Sequence, residues 1–175
     1  MPQNLIIFGS PKHNSFTAKL VNGIKPIFGD DCITYDCFKM SPAPCDACNH
    51  CQKTDGCKFT DLNEFFDNFE KAEEIIIAFP LYNGSFPAPL KALIDRFQRF
   101  YNKRFVLDIK PPMSGQRKVT LIITAGSNAD PLSLILPQLK PIFTISGCTL
   151  KKAIILNGTD SLSPNQKLNP KTIEF

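Results

Sequence analysis

Short apolar runs recur along this chain, and each is about as long as a strand that is buried on both faces of a sheet. Such runs occupy residues 4–9, 74–80, 118–125 and 149–156, and the alternating segment 32–38 is a further candidate strand. Segments with helical periodicity lie between them. Because parallel strands need right-handed crossover connections, the alternation predicts an α/β fold: a doubly wound five-stranded parallel sheet with helices on both faces. Five such strands fit the order 2-1-3-4-5.

The segments between the strands predict helices at residues 15–28, 61–72, 87–101 and 131–146. Asp61 is a candidate N-cap, and Glu64 would complete a capping box with it. Pro137 and Pro141 should kink or split the last helix, because proline removes a backbone donor. The tail, residues 157–175, has weak periodicity, so only a short helix or an irregular cover is expected there. A single domain spanning 1–175 accommodates all of these elements.

The composition disfavours several classes of protein. No apolar run reaches the roughly 18 residues that a membrane helix needs, and the first residues lack the pattern of a secretory signal, so we expect a cytoplasmic location. The net charge of +4 is small and its residues are scattered, which argues against nucleic acid binding. The expected partner is therefore a small molecule, with neither nucleic acid nor membrane involved.

The loop after the first strand, residues 9–17, is rich in hydroxyl and amide groups. Ligands of doubly wound sheets bind at the carboxyl ends of the strands, where the strand order reverses. Backbone N–H groups at the following helix start, with Ser10, Asn14, Ser15 and Thr17, would suit a phosphate dianion. Simple helix capping is the alternative. The loop is neither a P-loop nor a G-x-G-x-x-G fingerprint, which disfavours ATP and Rossmann-type NAD binding.

Two further loops follow strands that should end at the same edge of the sheet. Residues 80–87 offer Tyr82, Asn83 and Gly84, an aromatic ring beside flexible backbone that suits a flat heteroaromatic ligand. Residues 124–128 are small enough for close backbone approach. The helix after the second loop carries Lys91, Asp95 and Arg96, of which Lys91 and Asp95 are spaced to form an ion pair. We expect these three side chains to have structural roles.

Four cysteines are concentrated in the predicted loop at residues 41–60. They are Cys45, Cys48, Cys51 and Cys57, spaced C-x2-C-x2-C-x5-C. Four thiolates so close in sequence can surround one metal centre, which makes an iron–sulfur cluster or zinc the first candidates. A zinc site could recruit His50, and a loop of unligated, oxidisable thiols is the third alternative. Cys32, Cys37 and Cys148 are expected to be small buried hydrophobic residues.

Three segments together resemble one known family. They are GSPKHNSFTAKL at 9–20, CDACNHCQKTDGC at 45–57 and PLYNGSFPAPLKALIDR at 80–96. Over about residues 4–157 the chain resembles the flavodoxin-like NADPH-dependent FMN reductases, and within them the iron-sulfur flavoproteins. The resemblance implies a set of FMN-binding residues. They are Ser10, Lys12, Asn14, Ser15, Phe16 and Thr17 in the phosphate loop, Pro80, Leu81, Tyr82, Asn83, Gly84 and Ser85 in the ring loop, and Thr124, Ala125 and Gly126 opposite.

The resemblance also implies an activity. An FMN-dependent oxidoreductase would take a hydride from NAD(P)H and pass electrons to a flavin, a quinone or another small acceptor, with no protein acid or base required. The alternative is an electron carrier that moves electrons between a ferredoxin-like donor, a [4Fe-4S] cluster on the four loop cysteines, and FMN. Members of the family commonly pair subunits over the flavin, so a homodimer or homotetramer is expected.

Overall fold

The computed structural model describes residues 3–29, 32–163 and 165–175. Its strands form one sheet and its helices pack on both faces of that sheet. The strands are β1 (Gln3–Phe8), β2 (Cys32–Asp36), β3 (Ala72–Pro80), β4 (Arg117–Thr124), β5 (Cys148–Leu156) and β6 (Lys171–Glu174). The helices are α1 (Phe16–Ile24), α2 (Cys37–Met40), α3 (Asn63–Lys71), α4 (Ala88–Asp95), α5 (Gln98–Phe105) and α6 (Pro131–Ser146).

The strand order is β2-β1-β3-β4-β5-β6, and the first five strands are parallel. In the centre, Ile7 lies between Tyr35 of β2 and Ile77 of β3. The predicted order 2-1-3-4-5 is therefore confirmed for these strands. The loops that follow β1, β3 and β4 consequently leave the sheet at one edge.

The central strands are buried on both faces, as their continuous apolar sequences predict. Leu5 and Ile7 of β1 belong to the larger core, which packs against α3, α4 and α6. Ile6 and Phe8 point to the opposite face, where α1 contributes Ala18. Aromatic rings fill much of the larger core, with centroids 5.0 to 5.2 Å apart among Phe65, Phe66, Phe69, Phe97 and Phe100 at the closest pairs.

The tail contains a strand that the sequence did not predict. Lys171–Glu174 forms β6, which pairs antiparallel with β5 and adds a sixth strand at the edge of the sheet. Ile173 lies opposite Ala153 and packs against the larger core, while Lys152 and Glu174 form an ion pair of 3.0 Å. A four-residue segment carries too little periodicity to identify as a strand, so this pairing depends on the exposed edge of β5.

Two predicted helices differ from the structure in whether they are interrupted. The expected helix at 87–101 is divided into α4 and α5, because three-residue turns replace helical hydrogen bonds where Arg96 and Phe97 donate to Leu93 and Ile94. By contrast, α6 is one helix and is not split by Pro137 and Pro141. Both prolines lie four residues apart on the exposed side, where water can satisfy the carbonyls that they leave free.

The predicted capping role of Asp61 is wrong. Helix α3 begins at Asn63, and Leu62 occupies its N-cap position without a side-chain hydrogen bond. The carboxylate of Asp61 instead accepts a hydrogen bond from the Ala43 N–H at 2.9 Å and pairs with Arg96 at 2.9 Å. These partners lie far away in sequence, so the local capping pattern could not reveal them.

A buried arginine stabilises the amino ends of the strands, at the start of β4. Arg117 is 1% exposed. Its guanidinium donates to the backbone carbonyls of Phe69, Glu70, Ser114 and Ser146. Burial lowers the pKa of Arg117, but the carbonyls compensate the charge by hydrogen bonding. The end of α3, the start of β4 and the end of α6 are thereby joined through one side chain.

We expect Arg117→Met to lower the free energy of unfolding by about 3 kcal/mol, because it leaves buried carbonyls without a donor. Urea denaturation of the two proteins measures the difference. The matched control is Lys118→Met, at the exposed neighbouring position, with an expected change within about 0.5 kcal/mol. A loss below about 1 kcal/mol for Arg117→Met would show that water replaces the guanidinium.

Candidate functional site

A cavity of about 590 Å³ lies at the carboxyl edge of β1, β3 and β4. We call it the edge cavity. Its volume falls within the range of pockets that hold small molecules and cofactors. The residues expected there that do line it are Ser10, Lys12, Asn14, Ser15, Phe16, Thr17, Pro80, Leu81, Tyr82, Thr124 and Gly126. The strand order therefore brings together residues from three loops that are far apart in sequence.

The loop after β1 presents hydrogen-bond donors to the edge cavity. Ser15 is the N-cap of α1, and its Oγ accepts from the N–H of Ala18 at 3.2 Å. The Ser10 and Ser15 hydroxyl oxygens are 3.0 Å apart. The first N–H groups of the nine-residue α1 and the positive end of its dipole favour an anion at this position. Lys12 adds a positive charge at the rim.

Hydrogen bonds join the three loops to one another. The hydroxyl oxygens of Thr17 and Thr124 are 2.8 Å apart in a buried contact. The N–H of Leu81 donates to the carbonyl of Thr124 at 2.7 Å. The walls of the edge cavity are thus connected to each other as well as to the sheet.

The loop after β3 forms a tight turn, which we call the ring turn and which spans residues 82–85. Tyr82 and Ser85 exchange backbone hydrogen bonds of 3.0 and 2.9 Å. Asn83 and Gly84 between them have φ values of 50° and 74°, the left-handed pair that an Asn-Gly sequence favours. The turn leaves the Tyr82 ring at the cavity wall, 46% exposed.

Four residues expected at the site do not line the edge cavity. Asn83 and Gly84 form the ring turn, and the Ser85 hydroxyl donates to Gln138 at 3.3 Å. Ala125 is buried, with its N–H bonded to Leu156 and its carbonyl to Thr159. These residues shape the loops around the cavity.

The loop after β5 contributes residues that the sequence reasoning missed. Thr159, Asp160 and Leu162 line the edge cavity. The Asp160 carboxylate lies against Gly126, where a Cβ atom would be only 2.4 Å from Asp160 Oδ2. The available signal was the strand order itself, because β5 neighbours β4 and its following loop must emerge at the same edge. Asp160 thus places a carboxylate in a cavity that Lys12 and Lys19 also line.

The four loop cysteines surround a second cavity of about 360 Å³, which we call the cysteine cavity. His50 and Asn102 also line it. The side-chain N–H of Asn102, on α5, donates to the sulfur of Cys51 at 3.1 Å. Ala47 and Asn49 have φ values of 54° and 59°, so the backbone between the cysteines turns sharply. Asn102 was not identified from the sequence, because its partner is 51 residues away.

The chemistry of four thiols suits a thiophilic metal centre, but the four sulfur atoms are too far apart to share one metal ion as they stand. Within the described residues, no three His, Cys, Asp or Glu side chains are grouped closely enough to hold a metal ion. Ligation would therefore require the loop to close around the metal. The other histidine, His13, lies 3.1 Å from Asp36 and stacks on Phe8, which is a structural contact.

The ends of the cysteine loop meet at a buried ionic contact. Arg96 donates to the carbonyl of Ala43 at 2.9 Å and to that of Phe59 at 3.0 Å. Burial alone would raise the pKa of Asp61, but hydrogen bonds from Arg96 and the Ala43 N–H outweigh it, and that pKa is lowered. The expected pair of Lys91 and Asp95 is also present, at 2.6 Å on the surface.

A family model for NADPH-dependent FMN reductases matches residues 2–160. The chain belongs to this family, which confirms the resemblance of its three segments. It is 33% identical to an iron-sulfur flavoprotein of Methanosarcina thermophila over 108 residues, 59% of this chain and 56% of that protein. It is 28% identical to an FMN-dependent NADH:quinone oxidoreductase of Stenotrophomonas maltophilia over 119 residues, 66% and 60% of the two chains. The matches thus span about half the length of the curated relatives.

Solved structures with low sequence identity share the fold. An NAD(P)H:quinone oxidoreductase from Methanothermobacter marburgensis superposes with a TM-score of 0.66 at 16% identity, over 95% of this chain and 87% of the other. An FMN-dependent NADH-azoreductase from Bacillus anthracis, solved with FMN, gives 0.62 at 16% identity, over 93% and 90%. These neighbours establish the flavodoxin-like architecture.

None of the helices in the described residues is long and apolar enough to cross a membrane.

Among the described residues, Cys37 is the one buried cysteine, whereas Cys32 and Cys148, which were also expected to be buried, are only partly so. Thiol labelling can distinguish the less reactive cysteines from those of the loop. Burial and the charge of Asp36 raise the pKa of Cys37 to about 12, and burial also raises the pKa of Cys148. Since only the thiolate reacts, we expect iodoacetamide at pH 8 to label the four loop cysteines well before these two. Mass spectrometry of native protein gives the order. Early labelling of Cys37 without loss of native secondary structure would contradict its burial beneath the sheet.

Proposed function

We propose that this protein is an FMN-dependent oxidoreductase that takes a hydride from NAD(P)H and reduces a flavin, a quinone or another small acceptor. The observation that carries the proposal is the edge cavity, where a hydroxyl-rich helix start, an aromatic turn and a small-residue loop meet. Membership of the NADPH-dependent FMN reductase family supports the same cofactor and donor. The curated relative from Stenotrophomonas maltophilia is itself named an FMN-dependent NADH:quinone oxidoreductase.

The residues of the edge cavity fit the parts of FMN. The N–H groups at the start of α1, with the hydroxyls of Ser10 and Ser15, would bind the phosphate, and Lys12 would balance its charge. Leu81 and Tyr82 would supply an apolar surface for the ring. FMN, when bound, supplies a ring that accepts a hydride and releases its electrons to an acceptor. The chain itself binds and orients the reactants.

Purified protein with added FMN tests this activity directly. We expect the flavin absorbance to bleach under anaerobic NADPH or NADH and to return when benzoquinone is added. Protein that binds no FMN would refute the cofactor assignment. Protein that binds FMN but is reduced by neither nucleotide would refute the hydride donor and favour the second function below.

A substitution at Ser15 isolates the phosphate contact. Aspartate caps a helix as well as serine does, so Ser15→Asp should leave the thermal stability nearly unchanged. Its carboxylate would repel the phosphate dianion, and we expect the affinity for FMN to fall by about a hundredfold or more. Riboflavin, which lacks the phosphate, is the matched control, with an expected change below about threefold. Equal losses for both ligands would place the phosphate elsewhere.

The cysteine cavity favours a second function, which is electron transfer between a ferredoxin-like donor, a [4Fe-4S] cluster and FMN. Four thiols face one cavity, and the Asn102 N–H already donates to the sulfur of Cys51. Hydrogen bonds to ligating sulfur are a common means of tuning iron–sulfur centres. The curated relative from Methanosarcina thermophila is itself named an iron-sulfur flavoprotein.

Anaerobic reconstitution with ferrous iron and sulfide tests the second function. We expect about four irons and four sulfides per chain, since four thiolates suit a [4Fe-4S] cluster. Cys48→Ser should lose most of this iron, whereas Cys148→Ser, outside the loop, should retain it. Iron and sulfide analysis of the wild type and both variants measures the cluster content. One zinc without sulfide would establish the zinc alternative, and no metal at all would leave a loop of free thiols.

We also propose that the protein forms a homodimer or homotetramer, with one subunit covering the edge cavity of another. Tyr82 and Leu134 are 46% and 43% exposed, and both lie at the ring turn, where Leu134 is the neighbour of Gly84. Exposed apolar side chains beside a cofactor cavity are favourable subunit contacts. Sedimentation equilibrium with and without FMN measures the oligomeric state.

A further inference from the structure

We propose that Arg96 is the positioning residue of the cysteine loop, because it holds both ends of that loop against the helix that follows the ring turn. The inference rests on the second function above, in which the loop carries the cluster. Arg96 would not touch the cluster or FMN. It would determine where the four thiols are held relative to the edge cavity.

The guanidinium of Arg96 bridges two segments that flank all four cysteines. Its Nη1 donates to the carbonyl of Ala43, before Cys45, and its Nη2 donates to that of Phe59, after Cys57. The same Nη2 lies 2.9 Å from Asp61 Oδ1. One side chain therefore closes the neck of the loop, which we define as residues 43, 59 and 61.

The neck has a second layer of contacts that depends on the first. Asp61 Oδ2 accepts a hydrogen bond from the N–H of Ala43. The carboxylate therefore also joins the two chain segments of the neck. The ring of Phe59 stacks on the guanidinium, with 5.1 Å from Cζ to the ring centroid. This geometry requires a planar group with donors on two nitrogens. Lysine offers one nitrogen and no plane, so it would reproduce only part of the contact.

Burial makes the neck contacts essential to Arg96. Its side chain is only 1% exposed, and its Nε has no hydrogen-bond partner. The two terminal nitrogens therefore provide the hydrogen bonds that compensate the burial of the charge. If residues 43, 59 and 61 moved away from Arg96, its buried guanidinium would lose its hydrogen-bond partners, which is energetically costly. Arg96 therefore favours the closed neck.

The contacts between α5 and the middle of the loop are more exposed than the contacts of Arg96 at the neck. Asn102 donates to the sulfur of Cys51, and Lys103 pairs with Asp55 at 2.8 Å. The Lys103 pair is partly exposed, at 21% and 42%, and such pairs contribute little in water. Lys103 is thus a matched comparison for Arg96, since both are cations that bind the same loop.

Arg96 also connects the loop to the edge cavity. It is the C-cap of α4, and α4 begins at Ala88, shortly after the ring turn. Leu90 of α4 packs at the end of β1, where a Cβ on Gly9 would lie 2.8 Å from Leu90 Cδ2. Helix α4 is therefore fixed to the sheet at the cavity. Groups held by rigid elements keep a defined geometry, and Arg96 extends that rigidity to the loop.

Hydrogen–deuterium exchange of the full chain with FMN bound tests whether Arg96 holds the neck of the loop closed. We expect the amides of residues 43–61 to exchange about tenfold faster or more in Arg96→Met, because one charge-assisted hydrogen bond contributes about that factor. Arg96→Lys should be intermediate. Lys103→Met should change these amides by less than about threefold. The amides of β3 and β4 should exchange as in the wild type in all variants.

Iron retention provides a second measurement after anaerobic reconstitution. We expect Arg96→Met to lose iron to a chelator about tenfold faster than the wild type, while its FMN affinity stays within about threefold. Loop exchange and iron loss equal to the wild type would overturn the proposal. Equally faster exchange in β3 and β4 would overturn it too, since Arg96 would then stabilise the whole fold. If the wild type holds no iron, the cluster function fails, and loop exchange alone decides the role of Arg96.

Discussion

The position of β1 between β2 and β3 is the constraint on which the candidate site depends. The chain adds β2 on one side of β1 and then crosses to the other side to form β3. The loops at this reversal diverge and leave a crevice at the carboxyl edge of the sheet. Full burial of Leu5 on one face of the sheet and of Ile6 on the other holds β1 between two layers of helices. The bond between Thr17 and Thr124 then spans the crevice across β3.

Two buried arginines join segments that the sheet itself does not connect. Arg117 lies at the amino edge of β4 and binds carbonyls from three different parts of the chain. Arg96 lies beyond α4 and binds the two ends of the cysteine loop. Removing either guanidinium would leave buried backbone carbonyls without a donor, which is costly. Each arginine therefore restricts the geometry of the segments that it joins.

The candidate FMN site and the cysteine loop share one structural support. Helix α4 follows the ring turn, packs on the end of β1 and ends at the residue that closes the neck of the loop. The two cavities have no lining residue in common among the described residues, so they are separate compartments. Helix α4 and Arg96 connect the two compartments through one continuous segment of the chain.

The sequence by itself determined the five parallel strands, their order and the edge at which the loops meet, because apolar run length and periodicity are local properties. It also identified most residues of the edge cavity and the four cysteines around their own cavity. Only the tertiary structure decided the pairing of β6 with β5, the break between α4 and α5, and the presence of Asp160 beside Gly126. Asp61 is the clearest case: its sequence neighbours suggested a helix cap, whereas Arg96 and Ala43 recruit its carboxylate across the fold. Contacts between residues 18 to 53 positions apart leave no local pattern, so no reading of periodicity or capping could reveal them.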